Sequence, residues 1–203
     1  MAGTPVASPQ IASTIGLKNV VIAPLTADTE EGHTYGELHL LAGAIEASIT
    51  PENADPDVQY ADDVEFDTLY PDPDLSFKTK MADIPLSIQE MIFGNQIDDN
   101  GVLIRTASDK PGYFAVGFKS EKADGAYRYV WLYKVRAKPV TENYATREGS
   151  TVTRQTGEVE WKAIKRTHDG RYQAVADEGQ NGFTPDKGKA FLESVYEPSF
   201  AAS

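Results

Sequence analysis

The sequence predicts a mainly β (α+β) protein: a β-sandwich or small barrel of about eight to ten strands with one flanking α-helix and extended arms. Three observations predict it. Residues 113–137, YFAVGFKSEKADGAYRYVWLYKVRA, form two runs rich in aromatic and branched residues around Asp124-Gly125, a pair that supplies the φ > 0 backbone of a hairpin turn. Period-two alternation, interrupted by Gly, Pro and Asp clusters, recurs along most of the chain. Only residues 83–94 carry a firm helical period.

In chain order, residues 1–14 are small and polar and are broken by Pro5 and Pro9, which reads as an N-terminal arm. The first strand covers 17–25. The second covers 33–41, where Tyr35, Glu37, His39 and Leu41 alternate with Thr34, Gly36, Leu38 and Leu40, and the third covers 43–50. After the segment TPENADPD, residues 58–69 read as a single strand, with Val58, Tyr60, Val64 and Phe66 on an apolar face and Asp63, Glu65 and Asp67 on an acidic one. A further strand is expected over 75–80. Asp83 is placed to cap a helix, Pro85 suits its first turn and Gly94 its C-terminal stop. Ile84, Ile88, Met91 and Ile92 form the buried stripe of that helix. Residues 98–101, Asp-Asp-Asn-Gly, read as a turn, and 102–106 as a short strand.

On the return arm of the central hairpin, Tyr127, Tyr129, Trp131, Tyr133 and Val135 share one face, and Arg128, Val130, Leu132, Lys134 and Arg136 share the other. Phe114, Val116 and Phe118 line the outgoing arm, so the pair carries apolar groups on both sides, where a half-exposed hairpin alternates more cleanly. Two readings follow. Either one face meets a neighbouring subunit, with Tyr127, Tyr129, Trp131 and Tyr133 as the interface, or the hairpin is the central strand pair of a sandwich. Residues 138–152 read as a long polar connection, and 156–177 as a second hairpin turning at His168-Asp169-Gly170. A short helix is expected from Thr184, with Pro185 in its first turn and Phe191, Leu192 and Val195 on one side. The organisation is thus an arm (1–14), a single β domain (15–196) and a tail (197–203) without structure of its own.

At 203 residues the chain is long enough for one good core. No segment approaches the roughly 20 apolar residues of a membrane helix, and the first ten residues have no basic start followed by an apolar run. The expectation is a soluble chain that stays where it is made. The absence of cysteine excludes a disulfide framework, a thiolate zinc site and a cysteine nucleophile. A net charge of -12 argues against a protein that grips nucleic acid, because such affinity comes from Lys and Arg displacing counterions. The charge is uneven: eight acids and no Lys or Arg lie between Asp55 and Asp74, while the rest of the chain holds 23 acids and 19 bases. Such a run reads first as a solvated face or loop.

Motifs of chemistry are scarce. The histidines, at 33, 39 and 168, make no ligand pair by spacing and read as exposed strand and turn residues. A calcium loop with Gly101 in sixth place would put Gln96 first and Ala107 twelfth, so two acidic ligands are missing. Phosphate-cradling Gly-rich loops, a nucleophile elbow and H-E-x-x-H do not occur. No catalytic, cofactor-binding or metal-binding residue is assigned, and the chain is not read as an enzyme. Acids within 59–67 suit glycosidic acid/base work or calcium, and the hairpin aromatics suit a sugar platform. A secreted-type carbohydrate- or calcium-binding β-sandwich module is therefore the alternative.

GLKN from Gly16, YADD from Tyr60, ADIPLSIQ from Ala82, DDNGV from Asp98, GFKS and then YRYVWLYK within 117–134, and AVADE from Ala174 occur in that order over residues 16–196. Together they resemble the major tail protein of phages with long, non-contractile tails. The resemblance implies a structural virion protein of the tail tube, assembling as stacked hexameric rings whose lumen conducts the genome during ejection, with no cofactor. It implies as partners further copies of the chain, a tape-measure protein, a tail terminator and tail-tip proteins, with double-stranded DNA passing through untethered and no membrane involved. The location implied is the virion tail, after synthesis in the bacterial host cytoplasm. On this reading sheets of adjacent subunits join, and the arms at 1–14 and 138–152 order against neighbours. Asp63, Glu65 and Asp67 are assigned to the lumen, where an acidic wall offers DNA no binding wells. The outer tube surface and a ring-to-ring contact with the Lys and Arg residues of 134–154 are the rival placements.

Overall fold

Nine strands pair into one antiparallel sheet in a computed structural model that describes residues 12–52, 57–61, 64–69, 74–139 and 156–200. The strands are β1 (Thr14–Asp28), β2 (His33–Tyr35), β3 (His39–Leu40), β4 (Ala44–Glu52), β5 (Asp57–Ala61), β6 (Val64–Leu69), β7 (Asp74–Met81), β8 (Gln96–Ile97), β9 (Leu103–Ile104), β10 (Tyr113–Lys122), β11 (Tyr127–Ala137), β12 (Gly157–Ala163) and β13 (Gln173–Asp177). Two helices, α1 (Leu86–Phe93) and α2 (Pro185–Ala190), complete the described elements. The main path runs β2-β1-β10-β11-β12-β7-β4, with β3 added to β1 and β13 to β11. β5 with β6, and β8 with β9, make separate two-stranded ribbons. The sheet curls until Cα atoms of β4 lie within 8 Å of β1, although no ladder joins them. The mainly β class, with a helix packed on the sheet, is as the sequence predicts.

The central hairpin forms where the pattern places it. Gly125 takes φ 84°, and its N–H bonds the Lys122 carbonyl at 2.9 Å. A register shift between the pairs Phe114↔Val135 and Val116↔Leu132 puts an extra residue into β11. One inserted residue reverses the parity of everything beyond it. Val135 therefore leaves the face of Tyr129, Trp131 and Tyr133 and joins the opposite core, with Val130, Leu132 and Phe114. This corrects the assignment of Val135 from strict alternation.

The main core lies inside the curl of the sheet, where Phe77, Val116, Leu132 and Trp161 are fully buried and Ile84, Ile92 and Phe93 of the α1 region pack against them. Gly94 ends α1 in the left-handed conformation expected of a C-cap, but the start differs: Pro85 is the N-cap without a side-chain bond, and Asp83 instead accepts from the N–H of Ile84. Gly117 faces Trp131 across the hairpin, and a Cβ there would lie 2.7 Å from the indole. That close approach explains a glycine inside an otherwise bulky strand.

Four further elements correct the sequence reading. Residues 58–69 are not one strand but an antiparallel pair, β5 and β6, with Ala61 opposite Val64. The intervening Asp62-Asp63 is a poor strand dipeptide and a good turn one. The expected strand 33–41 is divided into β2 and β3, which meet different parts of β1. β12 and β13 do not pair with each other. β13 lies along residues 128–132 of β11 and β12 along 135–137, so one edge of β11 serves both. Finally, β1 begins at Thr14, inside the expected arm, and carries a bulge with Asn19 at φ 53°.

Candidate functional site

Two surfaces stand out. The first is the free end of the sheet. Among the described residues β4 hydrogen-bonds only to β7, and the next strands in sequence, β5 and β6, form a ribbon that pairs with no other described strand. Ala44, Ala47 and Ile49 of β4 turn toward the core, while Ile45 stays 53% exposed. Glu65 and Asp67, two of the acids assigned to a lumen, lie on β6 opposite Tyr60 and Gln59. Asp63 lies outside the described residues, as does nearly all of the connection expected over 138–152 and the arm before Ala12.

The second surface is the aromatic face of β11. Tyr129, Trp131 and Tyr133 are buried, and only Tyr127 of the four expected interface residues is half-exposed. Their cover in the single chain is its own C-terminal segment. Phe191 stacks into a cluster with Tyr129, Phe183 and Tyr196, at centroid distances of 5.7, 5.7 and 4.7 Å. The Trp131 indole N–H donates to the Phe191 carbonyl at 2.7 Å. Gly188 is held against the Tyr129 hydroxyl, where a Cβ would sit 2.5 Å from the oxygen. The helix that delivers Phe191 starts as its sequence predicts, with Thr184 accepting from the N–H of Lys187 and Pro185 in the first turn.

At the far end of this face sits Arg166, with a side chain 0% exposed. Its Nε and Nη2 donate to the two carboxylate oxygens of Asp169 at 3.1 and 2.6 Å, and its Nη1 and Nη2 to those of Glu197 at 2.6 and 3.1 Å. The guanidinium lies 4.2 Å from the centre of the Tyr133 ring, a cation–π contact of the desolvated kind. His33 Nε2 lies 2.9 Å from both Arg166 Nη1 and Glu197 Oε1, and the His33 and His168 rings are 5.2 Å apart. Burial works against the guanidinium's charge, but Glu197 and Asp169 outweigh it and hold Arg166 charged. Burial likewise opposes the charge of Glu197 and Asp169, and Arg166 overcomes it, keeping both carboxyls below their ordinary range.

The same corner is tied to β1. Burial disfavours an ionised Asp28, yet the Lys134 ammonium at 2.6 Å and the backbone N–H groups of Thr167 and His168 hold its carboxyl well below the usual range. Sequence reasoning missed this network. It took His33 for an exposed strand residue and Glu197 for the start of a loose tail, whereas both belong to the Arg166 clamp. Arg166 sits in a turn-rich stretch with no period to mark it, and apart from Asp169 its partners Glu197 and His33 lie 31 and 133 residues away. What the arrangement does is mechanical: every carboxylate in it is committed to a cation or an N–H. Among the described residues, no group of three or more His, Asp or Glu side chains is arranged to hold a metal, and no helix is long and apolar enough to cross a membrane. Comparison with models of known protein families finds no match, and comparison with curated proteins finds none either.

Proposed function

We propose that the chain is a structural subunit of a phage tail tube, assembling with copies of itself into stacked, hexameric rings whose lumen conducts the genome. Its further partners on this reading are a tape-measure protein, a tail terminator and tail-tip proteins, and it acts in the virion tail. The ordered likeness over residues 16–196 suggests the family, and the mainly β fold with its packed helix agrees with it.

The observation that carries the reading is the free end of the sheet: β4, a nine-residue edge strand, and next in sequence after residues 53–56 a ribbon that pairs with nothing else described. An edge strand exposes a row of N–H and C=O groups that invites a strand from another chain. A two-stranded ribbon is marginal by itself and gains from packing against a neighbour. A closed ring of subunits answers both needs, since closure removes edges.

The test is sedimentation velocity of the wild type and of Ile45→Lys across a concentration series. The expected result is concentration-dependent assembly of the wild type and an Ile45→Lys chain that folds normally and stays small. Equal assembly by the two removes the β4 end from the account. For the lumen assignment, replacing Asp63, Glu65 and Asp67 by Asn or Gln in otherwise normal tails is expected to slow DNA delivery, and unchanged delivery rejects it.

A further inference from the structure

The aromatic face of β11 is covered like a groove holding a peptide. No strand ladder joins the cover to the sheet among the described residues. Instead the hold is at discrete points: the Phe191 ring among aromatic side chains, the Trp131 indole on the Phe191 carbonyl, and the Glu197 carboxylate on the buried Arg166. Buried aromatics and a desolvated arginine are the groups that dominate binding between separate chains. The cover joins the sheet through an exposed, glycine-containing turn. Between β13 and α2 the chain runs through Gly179 and Gly182, both with positive φ at 93° and 89°, and residues 179–182 are exposed. Beside the clamp, a cleft of about 610 Å³ lies between residues 33–38 and residues 193–197, and the contact of His33 Nε2 with Glu197 Oε1 at 2.9 Å spans it.

We infer that the face formed by Tyr129, Trp131 and Tyr133, with Arg166 at its end, is a docking surface for the C-terminal segment 183–197. It is filled in cis in the isolated chain and in trans, by the same segment of a neighbouring copy, in the assembled protein. The occupant is a second copy because its segment offers the identical ring, carbonyl and carboxylate to the identical groove, so exchange conserves every contact and every charge pair. Such exchange of an identical element is a low-cost route to association. Arg166 supplies the selection: with its side chain buried, it requires a carboxylate at the position Glu197 takes. The inference deepens the assembly reading and rests on it for the presence of a neighbour.

The experiment uses the absence of natural cysteine. Thr34→Cys and Ser194→Cys place single thiols on opposite walls of the cleft without touching the clamp, and a short bis-maleimide joins them. The two single variants are mixed, allowed to assemble and crosslinked, while electron microscopy of the same sample scores assembly. The double variant, diluted, reports the cis arrangement. Exchange predicts a covalent T34C–S194C dimer several-fold more abundant than either homodimer in assembled samples, and an intramolecular link in the dilute double variant. Assembled rings without that heterodimer overturn the exchange and leave the assembly reading standing. Chains that remain monomeric and link only in cis overturn both.

Discussion

Glu197 lies 31 residues beyond Arg166 in sequence, yet its carboxylate bonds both terminal nitrogens of that guanidinium, at 2.6 and 3.1 Å. The pair joins the C-terminal segment to the sheet through a cation that has no exposed surface. Removing either partner has unequal consequences. Glu197→Gln leaves Arg166 with Asp169 and is expected to destabilise the chain by about 1.5–3 kcal/mol, the range for hydrogen bonds to charged groups. Arg166→Met leaves two carboxylates facing each other and is expected to cost about 3–5 kcal/mol. Urea unfolding followed by far-UV circular dichroism measures both, and equal effects contradict this division of roles.

The hydroxyl of Tyr133 makes a prediction of opposite sign. It is buried without a hydrogen-bond partner, so it carries a desolvation cost that nothing offsets. Tyr133→Phe keeps the ring that faces Arg166 and is expected to be neutral or stabilising by up to about 2 kcal/mol. A loss of stability in the same unfolding assay contradicts the placement of that hydroxyl.

Gly117 predicts a packing defect. A methyl at this position meets the Trp131 indole at 2.7 Å, so one of the two must shift. Gly117→Ala is expected to cost about 1–3 kcal/mol, the range for overpacking, together with a change in near-UV circular dichroism from the displaced tryptophan. An unchanged spectrum and midpoint reject the contact.

Acid should weaken the fold in a defined way. Asp28, Asp169, Asp177 and Glu197 all have carboxyls held below their ordinary range against the opposing effect of burial, Asp28 mainly by Lys134, Asp169 and Glu197 by Arg166, and Asp177 by Arg128 and Lys122. A folded-state value below the unfolded one means that the unfolded chain binds protons first. This contribution is complete above about pH 4 and is lost as the pH falls through the folded values. At the other extreme burial pushes the Tyr133 hydroxyl up to about 12, so stability is whole below about pH 10 and declines as the pH rises above it. Unfolding midpoints measured from pH 2 to 12 check both limbs, and Asp28→Asn should flatten the acid one.

Much of this fold is legible in the residues. The central hairpin, the helix start at Thr184 and the glycine stop at Gly94 follow from local rules of turn chemistry, capping and period. What is not legible depends on pairing at a distance. Val135 changes faces because of a bulge that only the register of β10 against β11 reveals. β12 and β13 look like a hairpin because a turn lies between them, but each finds a better partner in β11. The two-sided apolar pattern of β11 left open whether a subunit or the chain itself covers Tyr129, Trp131 and Tyr133, and the cover proves to be the chain's last described stretch. The Arg166 clamp had no signal in the sequence at all, since its members are drawn from β2, a loop and the C-terminal segment.

The most direct measurement of the central claim is negative-stain electron microscopy of the purified chain over a range of concentrations, alone and then with tape-measure and tail-tip proteins. The account predicts hollow rings or tubes of uniform width, growing in number with concentration or on addition of those proteins. Monomers under every one of these conditions would contradict it.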